Sequence, residues 1–253
     1  MYTRNSLQND LKQAGILPAD TLLVHSSMKS IGEVEGGADA VLDALMEYFR
    51  KDGLLVFPTL TYGLNKEHPT FYVRETPSQV GLLSNLFRMR PGVLRSLHPT
   101  HSVAAWGKDA EAFLAGHDMF STPCAKGSPW GRLADRGAKI LFIGTQGICC
   151  NTFLHGVEEW FGVPGMLTEE KERLRSIDES GIEHVVPSRR HVGSHSQYYG
   201  KMEPLFAKHG ALTYLRFGDA ASYLLDCAAV REITFRCLNR DPLLFTHPGE
   251  PEE

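Results

Sequence analysis

The segment Asn151-Thr-Phe-Leu-His-Gly-Val-Glu-Glu159 places an imidazole and two carboxylates within one short stretch of chain. If Asn151 caps a helix here, the i, i+3 spacing puts Glu158 on the same face as His155. A carboxylate beside an imidazole holds its orientation and favours its protonated form, which suits a general base working near neutral pH. A structural ion pair on a helix surface explains the same spacing equally well. Cys149 and Cys150 precede the segment and admit a Cys–His nucleophile pair. Adjacent cysteines flanking a strand also read as small buried hydrophobes.

Further polar stretches stand before or after apolar runs. In His25-Ser-Ser-Met-Lys-Ser-Ile-Gly32, small hydroxyl residues and a glycine can offer backbone N–H groups to a phosphate or amide, with Lys29 as a nearby positive charge. An ordinary strand-to-helix turn accounts for that stretch too. Arg95-Ser-Leu-His-Pro-Thr-His-Ser102 is dense in donors and acceptors. The proline between His98 and His101 and the lack of a nearby acidic ligand argue against a metal pair. Gly127-Ser-Pro-Trp-Gly-Arg-Leu133 reads as a capped helix start, with Ser128 as cap and Pro129 in the first turn. Helix starts also bind anions, though capping alone explains the residues. No Walker loop, dinucleotide fingerprint, HExxH or GxSxG elbow occurs.

The elements that must position these groups alternate along the chain. The pattern predicts a helix over 6–14, a strand over Thr21–His25, a helix over Ala38–Arg50 and a strand over Leu54–Phe57. Beyond these it predicts helix Val80–Met89, strand Val103–Trp106, helix Ser128–Arg136 and strand Lys139–Ile143. Two β-compatible stretches around Asp178-Glu-Ser-Gly181 predict an antiparallel hairpin, an insertion near 168–190. A strand over Ala211–Leu215 and a helix over Ala220–Arg231 close the pattern. The alternation implies an α/β protein with a mixed sheet covered by helices on both faces. A single domain over 1–246 is expected, with a disordered tail over 247–253.

The 253 residues, 42% of them apolar, suffice for one sizeable core. The first residues hold neither a secretory apolar run nor a membrane span, so a cytoplasmic protein is expected. The five cysteines are odd in number without a CxxC pair, which favours reduced thiols over a disulfide framework or zinc ribbon. The net charge of −4 owes three units to Glu250, Glu252 and Glu253. Nothing in that balance points to nucleic acid or to an anionic membrane.

Taken in order, VHSSMKSIG, RSLHPTHSVAAWG, GSPWGRL followed by KILFIGT, and TFLHGVEE resemble the corresponding segments of the aminoglycoside 3-N-acetyltransferase family, also called the antibiotic N-acetyltransferases. The resemblance is good over residues 1–165 and looser beyond. It implies a three-layer α/β/α fold with a central mixed sheet, unrelated to the commoner GNAT acetyltransferases. It also implies acetyl-CoA as co-substrate, no metal, and direct transfer to an amine of an aminoglycoside or other amino-sugar-like molecule. By the same resemblance His155 matches the catalytic histidine and Glu158 the acidic residue after it. Ser26, Ser27, Lys29, Ser30, Ile31 and Gly32, with Ser102 and Ser128, are expected along the CoA channel. Glu159 and His191 are expected to meet the acceptor, and a homodimer remains open.

The chemistry fits those residue types. An amine arrives mostly protonated and must lose a proton to attack a thioester, the work expected of His155. The tetrahedral oxyanion needs fixed donors, for which the Ser26 loop and Ser102 are candidates. One stretch departs from the family's expected acceptor. Ser188-Arg-Arg-His-Val-Gly-Ser-His-Ser-Gln-Tyr-Tyr199 is basic and aromatic, whereas a polycation calls for Asp and Glu.

Overall fold

The structure is a computed structural model that describes residues 1–50 and 52–253. In chain order the elements are α1 (Arg4–Gln13), β1 (Thr21–Ser26), α2 (Gly37–Phe49), β2 (Leu54–Pro58), β3 (Thr70–Tyr72), α3 (Leu82–Phe87), β4 (Leu94–Arg95), β5 (Val103–Gly107), α4 (Ala110–Leu114), α5 (Pro129–Asp135), β6 (Lys139–Ile143), α6 (Thr152–Phe161), β7 (Glu172–Ile177), β8 (Glu183–Ser188), α7 (Glu203–Lys208), β9 (Leu212–Phe217), β10 (Ala220–Asp226) and α8 (Cys227–Arg240).

Seven strands form one mixed sheet in the order β4-β5-β2-β1-β6-β10-β9. Its centre is parallel: β1 pairs with β2 through Thr21↔Leu54 and with β6 through Leu23↔Ile140. Both flanks are antiparallel. β2 is buried end to end, as the apolar run Leu54-Leu-Val-Phe57 requires, and β1 and β6 are buried along all but their ends. Alternation along them divides the core. Leu23, Val56, Ile140 and Phe142 join a cluster with Trp130 of α5, Leu154 of α6 and Val230 of α8. Leu22, Val24, Leu55 and Leu141 face the other way, toward Leu7 of α1 and Leu45 of α2.

The predicted helix over Ala220–Arg231 is corrected. Residues 220–226 are β10, paired antiparallel to β9 and to β6, and the helix begins only at Cys227. Ala and Leu favour helices, but the burial of Ala220, Ser222 and Leu224 on alternate positions shows that sheet pairing overrides that propensity. Gly218-Asp219 between β9 and β10 is a hairpin signal, with Gly218 at φ 59. Asp226 then caps α8 by accepting from the Ala229 N–H at 2.8 Å. The predicted hairpin forms from β7 and β8, in the register Arg173↔Pro187, and β3 adds to it in parallel as a separate three-stranded sheet. Residues 247–253 carry no helix or strand, and Glu253 lies against Arg236 and His209.

Candidate active site

A cavity of about 640 Å³ opens at the C-terminal ends of the three parallel strands. Its wall includes Ser26 at the end of β1, Pro58 and Leu60 at the end of β2, and Thr145 just after β6. β2 and β6 lie on opposite sides of β1, so the connections out of β1 diverge and leave a crevice, where open α/β sheets hold their ligands. Helix α6 contributes Thr152 and His155, and the chain leaving β8 contributes Arg190, His191 and Gly193.

α6 is anchored by Phe153, Leu154 and Val157, all fully buried. Asn151 sits at its N-cap position, yet its side chain makes no capping bond and neither amide atom has a partner. The helix brings His155 and Glu158 to one face, with Nδ1 and Oε2 3.6 Å apart, too far for a direct hydrogen bond. Tyr199 joins them. Its hydroxyl contacts His155 Nδ1 at 2.7 Å and donates to Glu158 Oε2. The other carboxylate oxygen accepts from His195 Nδ1 at 2.6 Å.

These contacts determine where the protons lie. Burial acts to raise the Glu158 carboxyl, but the nearby His155 imidazole and the hydrogen bonds from His195 and Tyr199 hold it down to about 2. Glu158 is therefore ionised and can only accept. The single tyrosyl proton goes to Glu158, so His155 must donate from Nδ1 to the tyrosyl oxygen. That leaves Nε2 with a free lone pair. Burial lowers the imidazole below its ordinary value, and the Glu158 carboxylate only partly restores it. The sequence argument that the carboxylate favours the charged ring is thus outweighed by desolvation, and the ring stays neutral at pH 7.

A second pair backs the first. His191 stacks on His155 with centroids 4.5 Å apart and rings 17° from parallel. Its Nε2 meets Glu159 Oε1 at 2.6 Å, and the same oxygen accepts from the Cys124 backbone N–H at 2.8 Å. Cys124, Glu159 and His191 also offer metal-ligating atoms within 4.8 Å of one another. The His191–Glu159 contact already occupies two of those atoms. On the far wall His25 stacks on Phe142 at 4.7 Å, and burial pushes its imidazole down to about 3.

The expected donor-channel residues separate. Ser26 lines the cavity. Ser27 and Ser30 bond to each other at 3.0 Å, and Ser30 donates to the Gly144 carbonyl, bracing the β1 and β6 loops. Lys29 is exposed, whereas Ile31 is buried in the core. Gly32, at φ 87, faces Asp219, where a Cβ would stand 2.1 Å from a carboxylate oxygen. Ser102 is fully buried, donating to the Thr59 carbonyl at 2.8 Å and accepting from Arg95 Nε at 3.1 Å. Ser128 accepts from the Trp130 N–H as the α5 cap, as its sequence context predicts. Ile31, Gly32, Ser102 and Ser128 are not on the cavity wall. Glu158 and Glu159 stand behind it, with side chains 0% and 4% exposed.

The sequence pattern assigns no role to Tyr199, His195 or His101. His101 lines the cavity, and its carbonyl accepts from Trp130 Nε1 at 3.0 Å. The aromatic run Tyr198-Tyr199 in a polar stretch is the available signal for Tyr199, and it does not reveal a partner 44 positions away.

Comparison with known proteins agrees with this architecture. The sequence profile described as aminoglycoside 3-N-acetyltransferase matches residues 23–239. A Bacillus subtilis protein, the SPbeta prophage-derived aminoglycoside N(3')-acetyltransferase-like protein YokD, is 33% identical over 165 residues, which is 57% of this chain and 60% of that protein. The alignment thus spans less than two thirds of that relative's length. Among solved structures, a histidine-to-alanine variant of aminoglycoside acetyltransferase AAC(3)-IVa in complex with a gentamicin superposes with a TM-score of 0.85 at 26% identity, covering 98% of this chain and 92% of that one. The binary complex of AAC-IIIb with CoASH shares the fold, with a TM-score of 0.80 at 23% identity over 94% of this chain and 96% of that one. A profile match across most of the chain, on a fold shared with solved acetyltransferases, places this chain in the aminoglycoside 3-N-acetyltransferase family.

Proposed function

We propose that the chain transfers acetyl from acetyl-CoA directly to an amine of an aminoglycoside or other amino-sugar-like molecule, on a three-layer α/β/α fold distinct from the GNAT acetyltransferases. His155 Nε2 is the general base. The observation that carries this reading is the Glu158–Tyr199–His155 chain, which leaves an unprotonated Nε2 on a ring that belongs to the cavity wall. The acceptor's ammonium first gives a proton to His155 Nε2, the freed lone pair attacks the thioester carbonyl carbon, and the adduct nitrogen gives its second proton to solvent. The oxyanion collapses, the C–S bond breaks and CoA leaves as a thiolate, which needs little help from an acid because a thiol's reference pKa is about 8.5. Ser26 and the backbone around it support the oxyanion in this reading. Ser102 does not, since its hydroxyl is committed to Thr59.

The Cys–His hydrolase alternative is disfavoured for Cys150. Desolvation on the cavity wall pushes the Cys150 thiol up to about 11, so almost none is thiolate at pH 7. Release of free CoA, measured together with N-acetyl product by mass spectrometry, tests the assignment. His155→Ala is expected to lower kcat by roughly 10²- to 10⁴-fold while calorimetry shows acetyl-CoA still bound. Undiminished turnover by the variant would remove His155 from the mechanism.

A further inference from the structure

Acetylation of an ammonium group sets two protons free. One leaves before the nitrogen can attack, and the other leaves after the N–C bond has formed, because the adduct nitrogen is still positively charged. His155 accounts for the first. Beside it the cavity wall carries a second imidazole in a matching setting. His191 lines the same cavity, and its ring is stacked on that of His155 with centroids 4.5 Å apart and planes 17° from parallel. Each ring is tied through one nitrogen to a glutamate behind the wall. His155 Nδ1 reaches Glu158 through the Tyr199 hydroxyl, and His191 Nε2 meets Glu159 Oε1 directly at 2.6 Å. Glu159 Oε1 also accepts from the Cys124 N–H, and the Cys124 carbonyl accepts from Trp160 Nε1 at 2.7 Å, which fixes the second pair from behind.

A carboxylate can only accept, so the proton of a neutral His191 ring sits on Nε2 and the lone pair on Nδ1. Among the described residues Nδ1 has no hydrogen-bond partner, and it is not sealed from solvent. Two bare imidazoliums stacked together would repel. Here each ring has its own carboxylate, and Glu159 Oε2 is buried without a partner, so a proton on His191 completes an ion pair instead of adding a lone charge. The other groups around the ring do not oppose it. His101 meets it edge-on at 5.1 Å and is kept neutral at pH 7 by burial, and the neighbouring Arg190 is paired with Glu172 at 2.7 Å. We infer that His191 Nδ1 is the second proton acceptor. The N–H bond of the tetrahedral adduct breaks, its electron pair stays on nitrogen, the proton joins Nδ1, and the ring then passes it to solvent. The inference rests on the acetyltransferase reading above and adds the route by which the second proton reaches solvent.

The experiment is the single-turnover rate of CoA release from bound acetyl-CoA, with a panel of aminoglycosides and single-amine sugars as acceptors. His191→Asn keeps an N–H for Glu159 and cannot take a proton. Its rate is expected to fall roughly 10²-fold while calorimetry shows acetyl-CoA still bound. His191→Gly opens space for an added base. Small imidazoles should restore its rate, and the restored rate should rise with the pKa of the base, which a ring that only props His155 would not produce. A proton inventory in mixed H2O and D2O should curve for the unaltered chain and run straight for His191→Asn. Full rate in His191→Asn overturns the inference, and so does a slowed His191→Gly whose rate does not follow the pKa of the added base. His155 keeps its assignment in both cases. No CoA release by the unaltered chain with any acceptor overturns the acetyltransferase reading, and the inference falls with it.

Discussion

Tyr199 makes the difference between a histidine near a carboxylate and a histidine held in one tautomer. Removing only its hydroxyl, in Tyr199→Phe, leaves the His155 Nδ1–H without an acceptor and frees the ring to hold its proton on either nitrogen. A hydrogen bond to that network is worth about 1.5 kcal/mol, so kcat is expected to fall about tenfold with the KM for acetyl-CoA unchanged. Nitrogen NMR of the labelled imidazole reads the tautomer directly, and a ring still protonated at Nδ1 alone would contradict the relay. The pH dependence has a defined sign. His155 sits below its ordinary value because burial disfavours the imidazolium. The acid limb of kcat therefore lies below about pH 6.5, with activity lost as the pH falls through that depressed value. A limb centred above the ordinary imidazole value would show the carboxylate dominating instead. That His155 and Glu158 share one face of α6 was legible in sequence because helical spacing links them. Tyr199 and His195 lie in the 3-10 helix His195–Met202, whose residues the sequence shows as a polar and aromatic run with no apolar period to mark a helix or its buried face.

At the scale of elements, sequence reading succeeded where residue periodicity and turn chemistry pointed the same way. Ser128-Pro129 opens α5, and Asp178-Glu-Ser-Gly181 turns the β7–β8 hairpin. Reading failed over Ala220–Asp226, where residues with helix propensity are recruited by β6 and β9 on either side. The true start of α8 rests on Asp226. Asp226→Ala removes the acceptor of the Ala229 N–H and is expected to cost about 1 kcal/mol. In a domain of this size that is roughly 2–4 °C in Tm, measurable by calorimetry. A shift near zero would mean that sheet pairing alone sets the boundary.

For the whole molecule, the notable charge property is what is kept neutral. His25 and His117 are held down to about 3 by burial, and His98 and His101 well below their ordinary value for the same cause. Unfolding returns each to a pKa of about 6.5. Between the folded and unfolded values the unfolded chain binds more protons, so stability falls as the pH drops below about 6.5. At pH 5 His25 and His117 each cost about 2 kcal/mol, a large part of a typical domain's stability, and His98 and His101 act in the same direction. His184 and His195 are raised by their hydrogen bonds to Asp178 and Glu158, so their contribution is complete once the pH reaches the unfolded value and does not offset this loss. Denaturant titrations at pH 7.0, 6.0 and 5.0 should show a steep decline, and a flat profile would mean that these rings are protonated in the native state.

The separate sheet of β3, β7 and β8 gives the molecule a two-part inheritance. Most of the parts assigned to the donor and to proton removal lie on the seven-stranded sheet and α6, between Ser26 and Glu158. Arg190, His191 and Gly193 arrive on the chain that leaves the hairpin. On the proposed reading, a genetic exchange confined to residues 172–190, which keeps His191 against His155 and Glu159, is expected to alter recognition while leaving the proposed donor site and base in place. Chimaeras made by trading that segment between relatives are the direct way to observe such a division of labour.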